Sequence, residues 1–216
     1  MSNRLPPSAS IASAAAGGKL HAPSAERNAD ALTELLRRIA PSTGHALEIA
    51  SGTGQHIARF ATTFPGLTWT PSEVAADRLA SIDAYRTEAM QANLRPASHL
   101  DACTAGWSGH IPAQDLILTI NLLHLIAENA ARTLIQEAAL ALSAKGTLML
   151  YGPFLRNGKT TSDGDAQFNA DLQRANPDIG YKDRDQVINW ATKNGLAHAE
   201  TVQMPANNLA LIFTSP

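Results

Sequence analysis

The stretch Ala46-Leu47-Glu48-Ile49-Ala50-Ser51-Gly52-Thr53-Gly54-Gln55-His56 joins a buried-strand pattern to a glycine-rich turn and then to a helix start. Ala46, Leu47, Ile49 and Ala50 form the apolar run, with Glu48 near its end. Gly52 and Gly54 permit a tight turn that brings backbone N–H groups close to a ligand, so the stretch reads as a nucleotide-cofactor loop. In a dinucleotide loop a third glycine follows for helix–strand packing, and a pyrophosphate rests on the helix N-terminus. Ile57 occupies that third position here, which counts against a nicotinamide-dependent oxidoreductase. A plain strand–turn–helix without a ligand is the competing reading of the glycine pair.

Such a loop requires a second acidic residue after the next strand, about 20 residues further on, to take ribose hydroxyls. Glu73 follows the strand-like run Leu67-Thr68-Trp69-Thr70 and lies 21 positions after Gly52. It is equally placed to be a first-turn acid of a helix over Val74 to Arg86, with Ser72 as the N-cap. Two more apolar runs close on polar side chains. Residues 95–100 lead to Asp101, where this kind of sheet reads an adenine amino group, and Leu116 to Ile120 leads to Asn121-Leu122-Leu123-His124. One polar group at the end of each run is what the carboxyl edge of an open parallel sheet presents to a ligand. The plainer alternatives are a solvated loop acid for Asp101 and a packed helix residue for His124.

The spacing Glu48-x-x-x-Gly52-x-Gly54 fits the loop of S-adenosylmethionine (SAM) methyltransferases, whose ligand has a sulfonium and an amino acid end in place of a pyrophosphate. The series ALEIASGTGQH, WTPSE (69–73), HLDA (99–102), NLLH (121–124), YGPF (151–154) and MPANNL (204–209) resembles the methyltransferase-like twenty-six family. That group was long described as a domain of unknown function and is assigned to the class I SAM-dependent methyltransferases. PSAERN (23–28) and FNADLQ (168–173) are also similar, so the resemblance spans roughly residues 20–216. It implies a Rossmann-like fold and SAM as cofactor. One departure is Ala50-Ser51, where many relatives carry a glycine, which narrows the turn.

The cofactor-binding candidates are Glu48, Ser51, Gly52 and Gly54 around the methionine end, Glu73 at the ribose and Asp101 at the adenine. Asn121 stands at the next strand end, and Arg27 or Asn28 is expected to fold over the site. Methyl transfer requires a nucleophile held in line behind the sulfonium methyl, with deprotonation added when the acceptor is not already nucleophilic. His124 is the candidate base, because an imidazole titrates near neutrality. Tyr151 is the second catalytic candidate, although a satisfied buried aromatic is an equal reading. The acceptor is expected to be a small molecule methylated on O, N or S. A SAM-binding regulatory module without turnover is the alternative.

The 216 residues suit one α/β domain, with residues 1 to about 20, rich in Ser, Ala, Pro and Gly, as a loose tail before a methyltransferase domain over 21–216. A net charge of −2 offers no basic field for phosphates, so nucleic acid is not an expected partner. A single Cys103 excludes an intrachain disulfide, and no Cys/His spacing suggests a metal site. No run has the length of a membrane span, and a cytoplasmic, reducing compartment is expected. Oligomeric state is not legible.

From Ser24, expected as an N-cap, Leu32, Leu35, Leu36 and Ile39 predict a first helix over 25–39. Further helices are expected over 55–63, 74–91, 128–143, 165–175 and 184–194, and later strands over 146–151, 197–203 and 208–214. Alternating strands and helices predict a doubly wound, mostly parallel seven-stranded sheet with an antiparallel C-terminal edge. The irregular stretch 152–165 exceeds ordinary loop lengths and is expected to form a substrate loop.

Overall fold

The computed structural model describes residues 11–216, so the first ten residues of the expected tail lie outside the described residues. Of the remainder of that tail, β1 (Ser13–Ala14) pairs antiparallel with β2 (Leu20–His21), where a loose segment was expected. There follow α1 (Pro23–Ile39), β3 (Gly44–Ile49), α2 (Gln55–Thr63), β4 (Leu67–Glu73), α3 (Ala76–Ala89), β5 (Ser98–His99) and β6 (Gln114–Ile120). The chain continues through α4 (Glu128–Ala141), β7 (Leu142–Gly152), α5 (Asp163–Ala175), α6 (Arg184–Lys193), β8 (Ala197–Gln203) and β9 (Leu209–Thr214).

The large sheet has the order β5-β4-β3-β6-β7-β9-β8. Its first five strands run parallel, while β9 is antiparallel to both β7 and β8. This is the expected seven-stranded, mostly parallel sheet with an antiparallel edge. Strand order reverses between β3 and β6, and the crevice beyond their carboxyl ends is where open α/β sheets hold ligands.

Side chains alternate across each strand, so the sheet has two buried faces. Leu47, Ile49, Ile117, Leu150 and Phe213 pack with α4 and α6. Ala46, Leu116, Leu118, Met149 and Ile212 pack with α1, α2 and Ile82 of α3. Helix α1 buries Leu32, Leu35 and Leu36 at helical spacing, but it begins at Pro23, with Ala22 rather than Ser24 at the N-cap position. Proline suits that first turn because its missing N–H would have no intrahelical partner there. Strand β4 runs on through Glu73 and α3 starts only at Ala76, so Ser72 is not the cap of this helix. Instead the Ser72 hydroxyl donates to the Glu48 carbonyl at 2.9 Å.

Candidate active site

The turn after β3 is held in a conformation that favours glycine. Gly52 has φ +59° and Gly54 φ +93°. Ala50 has φ 55°, and Asn121 at the end of the adjacent β6 has φ 58°. The left-handed conformation costs an L-residue about 1–2 kcal/mol, and such strain gathers at functional sites. The Ser51 N–H donates to the Ser72 carbonyl at 2.8 Å, which locks the turn to β4.

The two glycines differ in their surroundings. A Cβ on Gly54 would lie 2.8 Å from Ile82 Cα in the backbone of α3, whereas one on Gly52 would lie 3.4 Å from Arg78 Nη1, the end of a flexible side chain. Gly54→Ala should therefore destabilise the protein by about 2–4 kcal/mol, combining overpacking with a positive φ, and Gly52→Ala by about 1–2 kcal/mol. Urea unfolding midpoints check the order; equal losses would show that α3 yields freely.

A cavity of about 380 Å³ opens at the carboxyl ends of β3, β4 and β6. Glu48, the turn from Ala50 to Thr53, and Glu73 to Ala75 line one side, with Arg78 of α3. Ile120 to Leu122, Leu125 and Ile126 line another, and Ile11, Ala22, Ser24, Ala25 and His56 close it from the N-terminal side. Glu73 is buried; its Oε2 accepts from the Gly52 N–H at 3.0 Å and its Oε1 from the Val74 N–H at 2.8 Å. Glu48 is 1% exposed, and its Oε2 has no hydrogen-bond partner. Burial, with the nearby Glu73 charge adding and a Ser51 hydrogen bond opposing, pushes its pKa up to about 8.

The hairpin of β1 and β2 is fastened to this wall. The Leu20 N–H donates to Ser81 Oγ at 2.7 Å, and that hydroxyl donates to the Thr53 carbonyl at 2.7 Å. The Tyr85 hydroxyl donates to the Leu20 carbonyl at 3.2 Å, and the Ala22 N–H donates to Gln55 Oε1 at 2.6 Å.

Of the sequence candidates, Glu48, Ser51, Gly52, Glu73 and Asn121 meet on the cavity wall, and Gly54 stands just behind as the N-cap of α2. Four others lie away from the cavity wall. Arg27 is exposed on α1, although its neighbours Ser24 and Ala25 reach the wall. Asp101 is exposed and turns back on its own loop, accepting from the Cys103 N–H at 2.9 Å. His124 is 4% exposed, with ring centroids 5.8 Å from Phe168 and 6.0 Å from Tyr181. Burial, helped by the Lys182 charge, pushes its pKa down to about 3, the signature of a packed neutral ring. Tyr151 is buried on the opposite face, its hydroxyl against Asn28 and Asn208 without a well-formed hydrogen bond, and burial raises its pKa.

Sequence reasoning passed over His56. It shares the buried stripe of α2 with Ile57, Phe60 and Ala61, lines the cavity, and places Nε2 2.7 Å from Asn28 Oδ1. The signal was a polar residue four before Phe60 on an apolar stripe, inside the very stretch that sets the fold.

The sheet order, with helices packed on both faces, is a Rossmann-like α/β fold. The chain belongs to the family described as Protein of unknown function (DUF938), whose model matches residues 19–215. Among solved structures it is similar to an O-methyltransferase family 2 protein from Planctomyces limnophilus DSM 3776 in complex with apigenin. The TM-score is 0.76 at 16% identity, over 89% of this chain and 58% of that one. It is also similar to an O-methyltransferase family protein from Burkholderia thailandensis, with TM-score 0.71 and 16% identity over 87% and 58%. A methyltransferase of calicheamicin biosynthesis in its SAH-bound form matches with TM-score 0.69 and 15% identity over 89% and 54%. The chain spans little more than half the length of these proteins, and the likeness is one of fold. Among the described residues no helix is long and apolar enough to cross a membrane, and no group of three or more His, Cys, Asp or Glu could hold a metal ion.

Proposed function

We propose that this protein is a cytoplasmic SAM-dependent methyltransferase of the methyltransferase-like twenty-six family, acting on O, N or S of a small molecule rather than on nucleic acid. One observation carries the reading: two buried carboxyl groups, Glu48 and Glu73, share one cavity at the reversal of strand order, and Glu73 accepts there from the Gly52 amide. The unpartnered Glu48 Oε2 is a buried acceptor with nothing in the chain to satisfy it, and the ammonium of an amino acid would do so. Glu73 is set to accept from ribose hydroxyls, with Val74 and Ala75 as apolar contacts for a base. Ser51, Gly52 and Asn121 frame the methionine end, while Asp101 stays outside the cavity, turned onto its own loop. When bound, SAM supplies an electrophilic methyl on a sulfonium. The chain's own part is to orient, and Leu122, Leu125 and Ile126 exclude water from the acceptor side.

Calorimetric titration with SAM, SAH and NADH tests the cofactor: binding of the first two and not the third is expected. Labelled SAM with a metabolite extract should then yield a labelled small molecule. Binding of NADH in preference to SAM would sink the reading.

The hairpin makes a separate prediction. Deleting residues 1–21 should weaken SAM binding about tenfold, roughly 1.4 kcal/mol, because it removes Ile11 from the wall and the Leu20 bonds that fasten the hairpin beside Thr53. Deleting residues 1–10 should leave affinity unchanged. Equal affinities for both truncations would deny the hairpin any part in the site.

A further inference from the structure

Four segments that the cofactor reading leaves unused converge beside the cavity. They are Asn28 from PSAERN, His56 from the glycine-loop helix, Tyr151 from YGPF and Asn208 from MPANNL. We infer that His56, held by Asn28, is the catalytic residue that receives the hydrogen of the methyl acceptor, and that the acceptor is a small uncharged molecule with an apolar body and one X–H group. This rests on the methyltransferase reading above.

The bond geometry sets the tautomer. Asn28 Oδ1 can only accept, so the 2.7 Å contact places the imidazole proton on Nε2 and makes Nδ1 the lone-pair nitrogen. Asn28 and Asn208 lie against the Tyr151 hydroxyl without a well-formed hydrogen bond to it. A base whose far nitrogen is fixed by a third group, itself packed in place, is the arrangement of an activated acid–base pair. His56 is 7% exposed and lies on the cavity wall, unlike His124 and Tyr151. Burial lowers its pKa to about 4, opposed by a hydrogen bond to the Ala25 backbone and aided by the Arg59 charge, so the ring is neutral at neutral pH. Arg59 itself is paired with Asp30, and Glu48 is the carboxyl that shares the cavity wall.

So weak a base suffices if proton transfer accompanies bond formation in the transition state, when the hydrogen on X is becoming acidic. As the X–C bond forms and the S–C bond breaks, X becomes cationic and its hydrogen strongly acidic. The proton passes to Nδ1, SAH and the methylated product result, and the imidazolium later yields the proton to water. Ile11, Ala25, Leu122, Leu125 and Ile126 suit an apolar body. The only cation among the described lining residues is Arg78, beside the glycine turn, so nothing on the acceptor side favours a carboxylate or phosphate.

Phenol is the probe. Protein labelled with ¹⁵N-histidine and saturated with SAH should show His56, assigned by its loss in His56→Gln, as the Nε2–H tautomer, with Nδ1 displaced saturably by phenol. Asn28→Ala should mix the tautomers and weaken the phenol response at least about tenfold, while Asn28→Asp, which keeps an oxygen for Nε2–H, should preserve both. With labelled SAM, His56→Gln should lose about 10²–10⁴-fold in kcat with SAM affinity unchanged. An Nδ1–H tautomer, a phenol-insensitive Nδ1, no transfer to phenol by the parent protein, or parental turnover in His56→Gln would each overturn the assignment. A failure of SAH itself to bind would instead overturn the methyltransferase reading.

Discussion

Replacing Glu73 by alanine should weaken SAM binding about ten- to a hundredfold while leaving the fold intact. Both carboxylate oxygens already work as acceptors, from the Gly52 and Val74 amides, in a buried setting. Hydrogen bonds to a charged acceptor contribute ~1.5–3 kcal/mol, which is the affinity factor expected when the ribose hydroxyls lose their partner. Glu73→Gln should fall between, since the amide keeps one acceptor oxygen but turns a donor toward the Gly52 or Val74 N–H. Calorimetry with circular dichroism as the fold control decides it: parental affinity in a folded Glu73→Ala protein would remove Glu73 from the ribose.

The second large effect is a pH dependence of binding carried by Glu48. Its pKa of about 8 in the protein without cofactor means that it holds a proton at pH 7. An ammonium beside Oε2 favours the ionised carboxylate, so binding must expel that proton. Affinity should rise by up to tenfold per pH unit from pH 6 towards 8 and level off above, a span of about a hundredfold. The same enthalpy measured in phosphate and Tris buffers should reveal close to one proton released per SAM bound at pH 6.5, and Glu48→Gln should release none. A flat affinity from pH 6 to 8 would show that Glu48 keeps its proton and does not meet the ammonium. The sign for folding is the reverse of the usual carboxylate. A folded pKa raised above the unfolded value of 4.5 gives stability that is full below 4.5 and is lost as pH rises through about 8. Glu48→Gln should therefore melt above the parent protein at pH 9, by a difference on the order of a few kcal/mol.

The fold could be read from the chain because its strands are apolar runs closed by polar ends, and its helices carry 3.6-residue stripes between them. The expected helix over 55–63 and strand over 197–203 match the observed bounds, and the others fall within a few residues. Glu48, Gly52, Glu73 and Asn121 were legible for the same reason, since each lies at or next to a strand end and topology alone brings strand ends together. Asp101 was not placed, because β5 is only two residues long and the loop after it turns on itself. His124 follows β6 and Tyr151 lies near the end of β7, yet the 3₁₀ turn at Leu123–Leu125 rotates the first, and strand alternation the second, into packing layers. Which way a side chain faces after a strand ends depends on the conformation of the loop, which periodicity does not encode. The hairpin at residues 13–21 was missed because its hold comes from partners about sixty residues away, Ser81 and Tyr85, and not from local composition.

The position of β9 bears on how this protein is made. Leu209, Leu211 and Phe213 face one packing layer while Ala210 and Ile212 face the other, so this late strand is shared by both. It also lies between β7 and β8, pairing with each. On a ribosome adding ~5–20 residues per second, the preceding two hundred residues emerge before the strand that completes both layers. Until it arrives, β7 presents an unpaired edge and two apolar surfaces to the surrounding cell. Nascent chains of this protein should accordingly engage holdase chaperones until residues 209–214 have cleared the exit tunnel, and ribosome-bound fragments ending before Leu209 should resist neither protease nor aggregation.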